Sequence, residues 1–280
     1  MAGAAQYPGA ALRLARSLDE RTKRETLADG VPALIAHPDW ETPAPLVLWM
    51  HGRTSRKEID SGRYLRLIRA GIAVCAIDLP GHGERFEQRL QEPQGTIDLL
   101  ASARPEVDEV IDALFNGPHA GVLDRQRLGI GGISAGGMVS LRRLCEPNGF
   151  SCAVVEATTG WLEGLYFPEE SSQQRWPVEH SREAVEAIDP SAHLKGFAPL
   201  PVLALHSEAD ELVPYSVQAR FIEQLRGHYE TRDAKPEMVE LLTWPETGAP
   251  QEHLGFGRHS NEAKNRVVEF YSQHLLGSDA

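Results

Sequence analysis

Six short apolar runs punctuate this chain, and the longer stretches between them carry a helical period. The runs are PLVLWM (45–50), IAVCAI (72–77), RLGIGGI (127–133), CAVVEA (152–157), PVLALH (201–206) and EMVELLTW (237–244). Being short and almost continuously apolar, they suit strands buried on both faces, as in parallel sheets whose crossover helices cover each side. Helices are predicted over 61–70, 95–115, 135–145, 214–226 and 260–276. In the last of these, Val267, Val268, Tyr271 and Leu275 share a face, and Ser260 is placed to cap its start. Ahead of the runs, RETLADGVPALIAHP holds an Asp-Gly turn between two segments and reads as a β-hairpin. No internal repeat and no Pro/Ser linker divides the 280 residues, so a single α/β domain over 1–280 is expected.

Residues 158–198 break the alternation. No strand pattern runs through them, and Trp161, Leu165, Tyr166, Phe167 and Trp176 stand among many charges. Long connections in compact domains tend to be functional, so this stretch is expected to form a small lid-like insertion. Trp161, Tyr166, Phe167 and Trp176 are its candidate substrate-binding residues. The competing expectation is that these aromatics only pack a satellite helix against the body.

The third run opens LGIGGISAGGMVSL (128–141), which sets five glycines around Ser134. Glycine costs a strand or helix roughly 0.5–1 kcal/mol relative to alanine, so this density must answer a steric demand. Gly132-Ile133-Ser134-Ala135-Gly136 fits G-x-S-x-G, in which a serine occupies a strained strand-to-helix turn. Side chains two positions either side of it would collide as the helix folds back over the strand, and the helix offers its N-terminal amides beside the hydroxyl. A rival reading exists, because GIGGIS is nearly a dinucleotide fingerprint with Glu156 downstream to hold a ribose. Against that, Ser134 stands at its third position, and several strands precede it.

A hydroxyl needs a base to take its proton and a third group to hold the base. Both follow in order. Asp210 lies in the loop after PVLALH, at a strand's carboxyl end, and Pro214 then suits the first turn of a helix. PETGAPQEHLGFGRHSNEAK supplies His253 in a glycine-flanked loop that can reach across, and His259 beside the presumed start of the last helix; His253 is the preferred base. Negative charge on an attacked carbonyl would meet two backbone amides, those of Ala135 and of Arg53 in the HGR after PLVLWM.

Charge and cysteines exclude several classes. A formal net charge of −12 argues against a nucleic-acid partner. The N-terminus does not read as a signal peptide, and no window approaches the roughly 20 apolar residues of a spanning helix, so a cytoplasmic location without membrane partners is expected. Cys75, Cys145 and Cys152 lack CxxC spacing, and the histidines lack metal-ligand pairing, so neither disulfides nor a metal is expected.

The order Ser134, Asp210, His253 and the motifs HGR, DLPGHGER, GISAGG and LHSEADELVP resemble the α/β-hydrolase family over residues 30–276, with most likeness to its dienelactone-hydrolase-like and bacterial serine-esterase branch. Dienelactone hydrolases proper use cysteine where Ser134 stands here. The resemblance implies an α/β-hydrolase fold: a mostly parallel eight-stranded sheet with one antiparallel member and helices on both faces. It also implies no cofactor, and transfer of an acyl group from a small-molecule ester to water through Ser134, with His253 as base and Asp210 orienting it. Glu156 is a fallback acid, since some members place theirs there. A peptidase on the same triad, or a silent binding protein on the same scaffold, are the alternatives. Arg53, Arg56, Lys57, His82, Glu84 and Arg85 are expected around the mouth, where a carboxylate-bearing substrate could meet them unless they are merely solvated.

Overall fold

The computed structural model describes residues 12–168 and 176–277; residues 169–175 of the expected insertion lie outside the described residues. One sheet is built from β1 (Thr22–Leu27), β2 (Val31–Ala36), β3 (Ala44–Met50), β4 (Ala73–Ile77), β5 (Leu123–Ile133), β6 (Phe150–Glu156), β7 (Val202–Ser207) and β8 (Val239–Trp244). Its spatial order is β1-β2-β4-β3-β5-β6-β7-β8. Strand β2 runs antiparallel to both of its neighbours, and every pairing from β4 to β8 is parallel. The Asp-Gly hairpin joins β1 to β2, with Gly30 at φ 100° supplying the left-handed turn residue.

Side chains of a strand alternate between faces, so each apolar run feeds two cores. Leu46, Leu48, Met50 and Val155 enter one core, while Val47, Trp49, Cys152 and Val154 enter the other. Helices Thr96–Asn116, Ala135–Leu144 and Tyr215–Glu230 cover the first face, and Ser61–Arg69 and Ser260–Leu275 cover the second. Two of the five glycines around Ser134 belong to this packing. A Cβ at Gly129 would lie 2.7 Å from Tyr271 Cε1, and one at Gly131 would lie 2.5 Å from Tyr271 Oη. That phenol donates to the Ile130 carbonyl at 2.8 Å, keying the last helix onto β5.

Within 158–198, helices Leu162–Tyr166 and Arg182–Ile188 pack Leu162, Leu165, Val185 and Ile188 against the first core. Ser181 caps the second of them by accepting the Ala184 N–H at 3.1 Å. Strand order reverses between β3 and β5, each of which has its next strand in sequence on the far side. Open α/β sheets bind ligands at such a point, beyond the carboxyl ends of the strands.

Candidate active site

At that reversal β5 ends, and Ser134 turns the chain into helix Ala135–Leu144 with φ 52° and ψ −118°. A backbone held there costs on the order of 1–3 kcal/mol and needs fixing from outside. The Ser134 N–H donates to the Glu156 carbonyl at 2.8 Å, and the Ser134 carbonyl accepts from Met138 N at 3.0 Å and Thr158 Oγ1 at 2.8 Å. The tight fold-back explains two more glycines. A Cβ at Gly132 would meet the Met50 carbonyl oxygen at 2.5 Å, and one at Gly136 would meet the same oxygen at 2.2 Å.

Asp210 Oδ1 accepts the N–H groups of Leu212 and Val213, each at 2.8 Å, which leaves Oδ2 aimed at the loop after β8. There His253 Nδ1–H donates to Oδ2 at 2.8 Å, and His253 Nε2 lies 2.9 Å from Ser134 Oγ. Because a carboxylate can only accept, Nδ1 carries the proton and Nε2 is left free to take one from the hydroxyl. Asp210 and His253 are 6% and 4% exposed, so this chain of hydrogen bonds runs in a water-poor setting where each bond is stronger.

Two residues that the sequence reading passed over hold this arrangement. Glu252, beside His253, accepts from Ser207 Oγ, Thr247 Oγ1 and the amides of Thr247 and Gly248 at 2.6–2.7 Å, anchoring the histidine loop to the end of β7. Against the desolvation that raises it, these donors bring its carboxyl down to about 2. His206 sits behind the acid, its Nε2 3.6 Å from Asp210 Oδ2 and donating to the Val213 carbonyl at 2.8 Å. Burial lowers its pKa, so it supplies a neutral wall.

Arg53 and Ala135 line the same cleft as Ser134 and His253, a space of about 560 Å³. The loop bearing Arg53 is clasped to the loop after β4 by two imidazoles working in opposite directions. His51 Nδ1–H donates to the Gly52 carbonyl at 2.7 Å while its Nε2 accepts the Leu79 N–H at 3.1 Å. His82 Nδ1–H donates to the Pro80 carbonyl at 2.8 Å while its Nε2 accepts the Thr54 N–H at 2.9 Å. Both rings must be neutral to accept, and burial lowers both pKa values, that of His51 to about 4.

A profile of the prolyl oligopeptidase family matches residues 61–278, which span Ser134, Asp210 and His253. The chain belongs to the prolyl oligopeptidase family. Its likeness to esterase YjfP of Escherichia coli (strain K12) is 25% identity over 269 residues, 89% of this chain and 97% of that one. Among solved structures, TT1662 from Thermus thermophilus superposes with a TM-score of 0.65 at 21% identity, covering 90% of this chain and 98% of that one. A puromycin-hydrolyzing peptidase of Mycobacterium tuberculosis also gives 0.65 at 21% identity, over 91% of this chain but 40% of its own. Sheet order and these likenesses together make this an α/β-hydrolase fold.

In this prolyl oligopeptidase family member several expected positions lie elsewhere. Tyr166 and Trp176 line the cleft beside Ser134, but Trp161 and Phe167 line a second pocket with Arg182 and Asp189. Trp161 and Phe167 flank helix Leu162–Tyr166 at its two ends, and the Trp161 ring lies over Gly164, where a Cβ would come within 2.3 Å of it. Glu156 is held from both oxygens by Arg63, at 2.6 and 2.7 Å, which removes it both as a fallback acid and as a ribose holder. Lys57 is buried against Asp78 at 2.7 Å and pairs with Glu84, His82 belongs to the clasp, and Arg85 forks onto Glu106, so these do not ring the mouth. Arg53 alone of that group lines the cleft. His259 turns to Glu262 at 2.9 Å and stacks on Trp244. The three cysteines are buried free thiols, and no cluster of metal-ligating side chains occurs among the described residues. No helix among them is long and apolar enough to cross a membrane.

Proposed function

We propose that this chain hydrolyses carboxylic esters through an acyl-enzyme on Ser134, and the observation that carries the reading is the unbroken Ser134–His253–Asp210 chain of 2.9 and 2.8 Å hydrogen bonds. Ser134 Oγ attacks the carbonyl carbon as its proton passes to His253 Nε2. Asp210 stabilises the imidazolium and fixes its tautomer. The carbonyl oxygen, now negative, is received by the Ala135 and Arg53 amides; removal of one such donor typically costs about 10² to 10³ in turnover. The bond to the alcohol oxygen breaks as His253 Nε2–H returns its proton to that oxygen, leaving the acyl group on Ser134. Water then attacks the acyl carbon and gives a proton to His253, which passes it back to Ser134 Oγ as the acid departs.

The relative matched over 97% of its own length is named an esterase, which supports esters over amides. A peptidase is the second reading, favoured by the family's description and by the named activity of the mycobacterial neighbour. The experiment is covalent labelling with a fluorophosphonate, followed by turnover of 4-nitrophenyl butyrate against aminoacyl 4-nitroanilides. Label on Ser134 with ester turnover supports the esterase. Faster anilide cleavage selects the peptidase, and a chain that neither labels nor turns over either substrate refutes both.

A further inference from the structure

Three side chains lining the cleft beside Ser134 hold hydrogen-bond donors out of proportion to the acceptors around them. Tyr166 is 7% exposed and its hydroxyl has no hydrogen-bond partner among the described residues; the Trp176 indole N–H, also shut off from solvent, has none among them either. Their rings meet edge to face with centroids 5.4 Å apart. The Arg53 guanidinium carbon lies 5.8 Å from the Trp176 ring centre. That guanidinium donates to the Gln91 carbonyl, and among the described residues no carboxylate stands within 4.0 Å of it. Burial lowers its pKa, and the more distant attraction of Glu92 does not cancel the loss.

Buried donors left without acceptors cost stability, and a fold that gathers several at one place is complete only when something supplies the lone pairs. The other charged groups of the lining already have hydrogen-bond partners. Asp60 accepts from Trp49 Nε1 at 2.8 Å and faces Arg63 at 3.7 Å, Lys264 donates to Ser260 Oγ at 2.7 Å, and His253 is held by Asp210. A neutral carbonyl would satisfy a hydroxyl or an indole N–H, yet it would leave the guanidinium without a counter-charge. A carboxylate answers all three, since its two oxygens match the fork of arginine and retain lone pairs for further donors. Ile59, Met138, Leu212 and Leu254 on the same lining give an apolar path for the atoms between that carboxylate and the ester.

We propose that the cleft takes esters carrying a carboxylate, received by Arg53 with the Tyr166 hydroxyl and the Trp176 indole N–H as co-donors. The proposal relies on the esterase reading for the chemistry but not for the binding. Its test therefore has two readouts. By calorimetry on Ser134→Ala, which leaves esters intact, monomethyl adipate is expected to bind at least tenfold more tightly than dimethyl adipate. Adding Arg53→Gln brings the two affinities together, and adding Tyr166→Phe narrows the gap several-fold. Equal binding in the Ser134→Ala parent, or a preference that survives Arg53→Gln, overturns the proposal.

In turnover by the enzyme with Ser134 intact, the 4-nitrophenyl monoester of adipic acid is compared with its methyl-capped form, and the butyrate ester of 3-hydroxypropanoate with that of its amide. The first pair places the charge on the acyl side and the second on the alcohol side. A tenfold or greater preference for the anion in either pair supports the proposal and identifies the side; no preference in either overturns it. Selective binding without turnover of any ester would sink the esterase reading alone and leave the carboxylate site standing.

Discussion

Glu156 and Asp210 stand at the carboxyl ends of adjacent strands, both buried and both tied to a basic side chain, and their partners separate their uses. Arg63 grips both oxygens of Glu156 and stays charged at any physiological pH, so that pair has no proton to exchange. Asp210 spends one oxygen on backbone amides and offers the other to the imidazole of His253, whose second ring nitrogen is left to accept. One carboxylate braces the strand end whose carbonyl receives the Ser134 amide; the other braces the imidazole beside Ser134. Burial and a basic partner therefore do not by themselves tell the two carboxylates apart. What separates them is the partner: a guanidinium can only donate, whereas a neutral imidazole can also accept.

Substitutions test that contrast, the largest effect first. Ser134→Ala is expected to lower ester kcat by about 10⁴- to 10⁶-fold with little change in the urea midpoint. Asp210→Asn should cost about 10⁴-fold, because an amide can hold His253 in the wrong tautomer, and stopped-flow acylation would read it. Equal losses in Glu156→Gln and Asp210→Asn, per folded molecule, would break the comparison.

Glu156→Gln should instead act on stability, by about 3–5 kcal/mol in urea unfolding, since it strands the Arg63 charge inside the protein. The double change Arg63→Met with Glu156→Leu should recover most of that loss. The smallest effect belongs to Tyr166→Phe, which removes a buried hydroxyl with no partner among the described residues and should leave stability unchanged or raise it by up to about 1 kcal/mol.

The clasp between the loops after β3 and β4 adds a dependence on pH. The folded pKa of His51 is lowered to about 4 by burial and by His82, below the ordinary value of 6.5. The unfolded chain therefore binds the extra proton first as pH falls, and stability declines between about 6.5 and 4, by at most about 3 kcal/mol. Above pH 6.5 both states are neutral and this dependence vanishes. Urea midpoints across that range should show the slope, and His51→Gln should lessen it, with His82 and His206 supplying the remainder.

The sheet was legible because each of its parallel strands is an apolar run and each helix a periodic one. Ser134 was legible for a related reason: Gly132 and Gly136 are local signs of a steric demand, and the Met50 carbonyl that makes it lies against both. Order along the chain then pointed to Asp210 and His253. Arg63 and Glu156 left no such sign, since they meet across 93 residues with no shared period. The role of Gly129 and Gly131 was equally hidden, because the ring that needs their space, Tyr271, belongs to the last helix. Trp161 and Tyr166 looked alike in sequence, yet Trp161 at the head of helix Leu162–Tyr166 lines the second pocket and Tyr166 at its last position lines the cleft.

Ser134 and His253 are separated by 119 residues, and the histidine arrives in the loop just before the closing helix. On the ribosome, the elbow and most of the sheet emerge while the hydroxyl still has no imidazole beside it. On the mechanism proposed above, synthesis itself would postpone reactivity: the elbow serine waits without a base until the loop bearing His253 swings in.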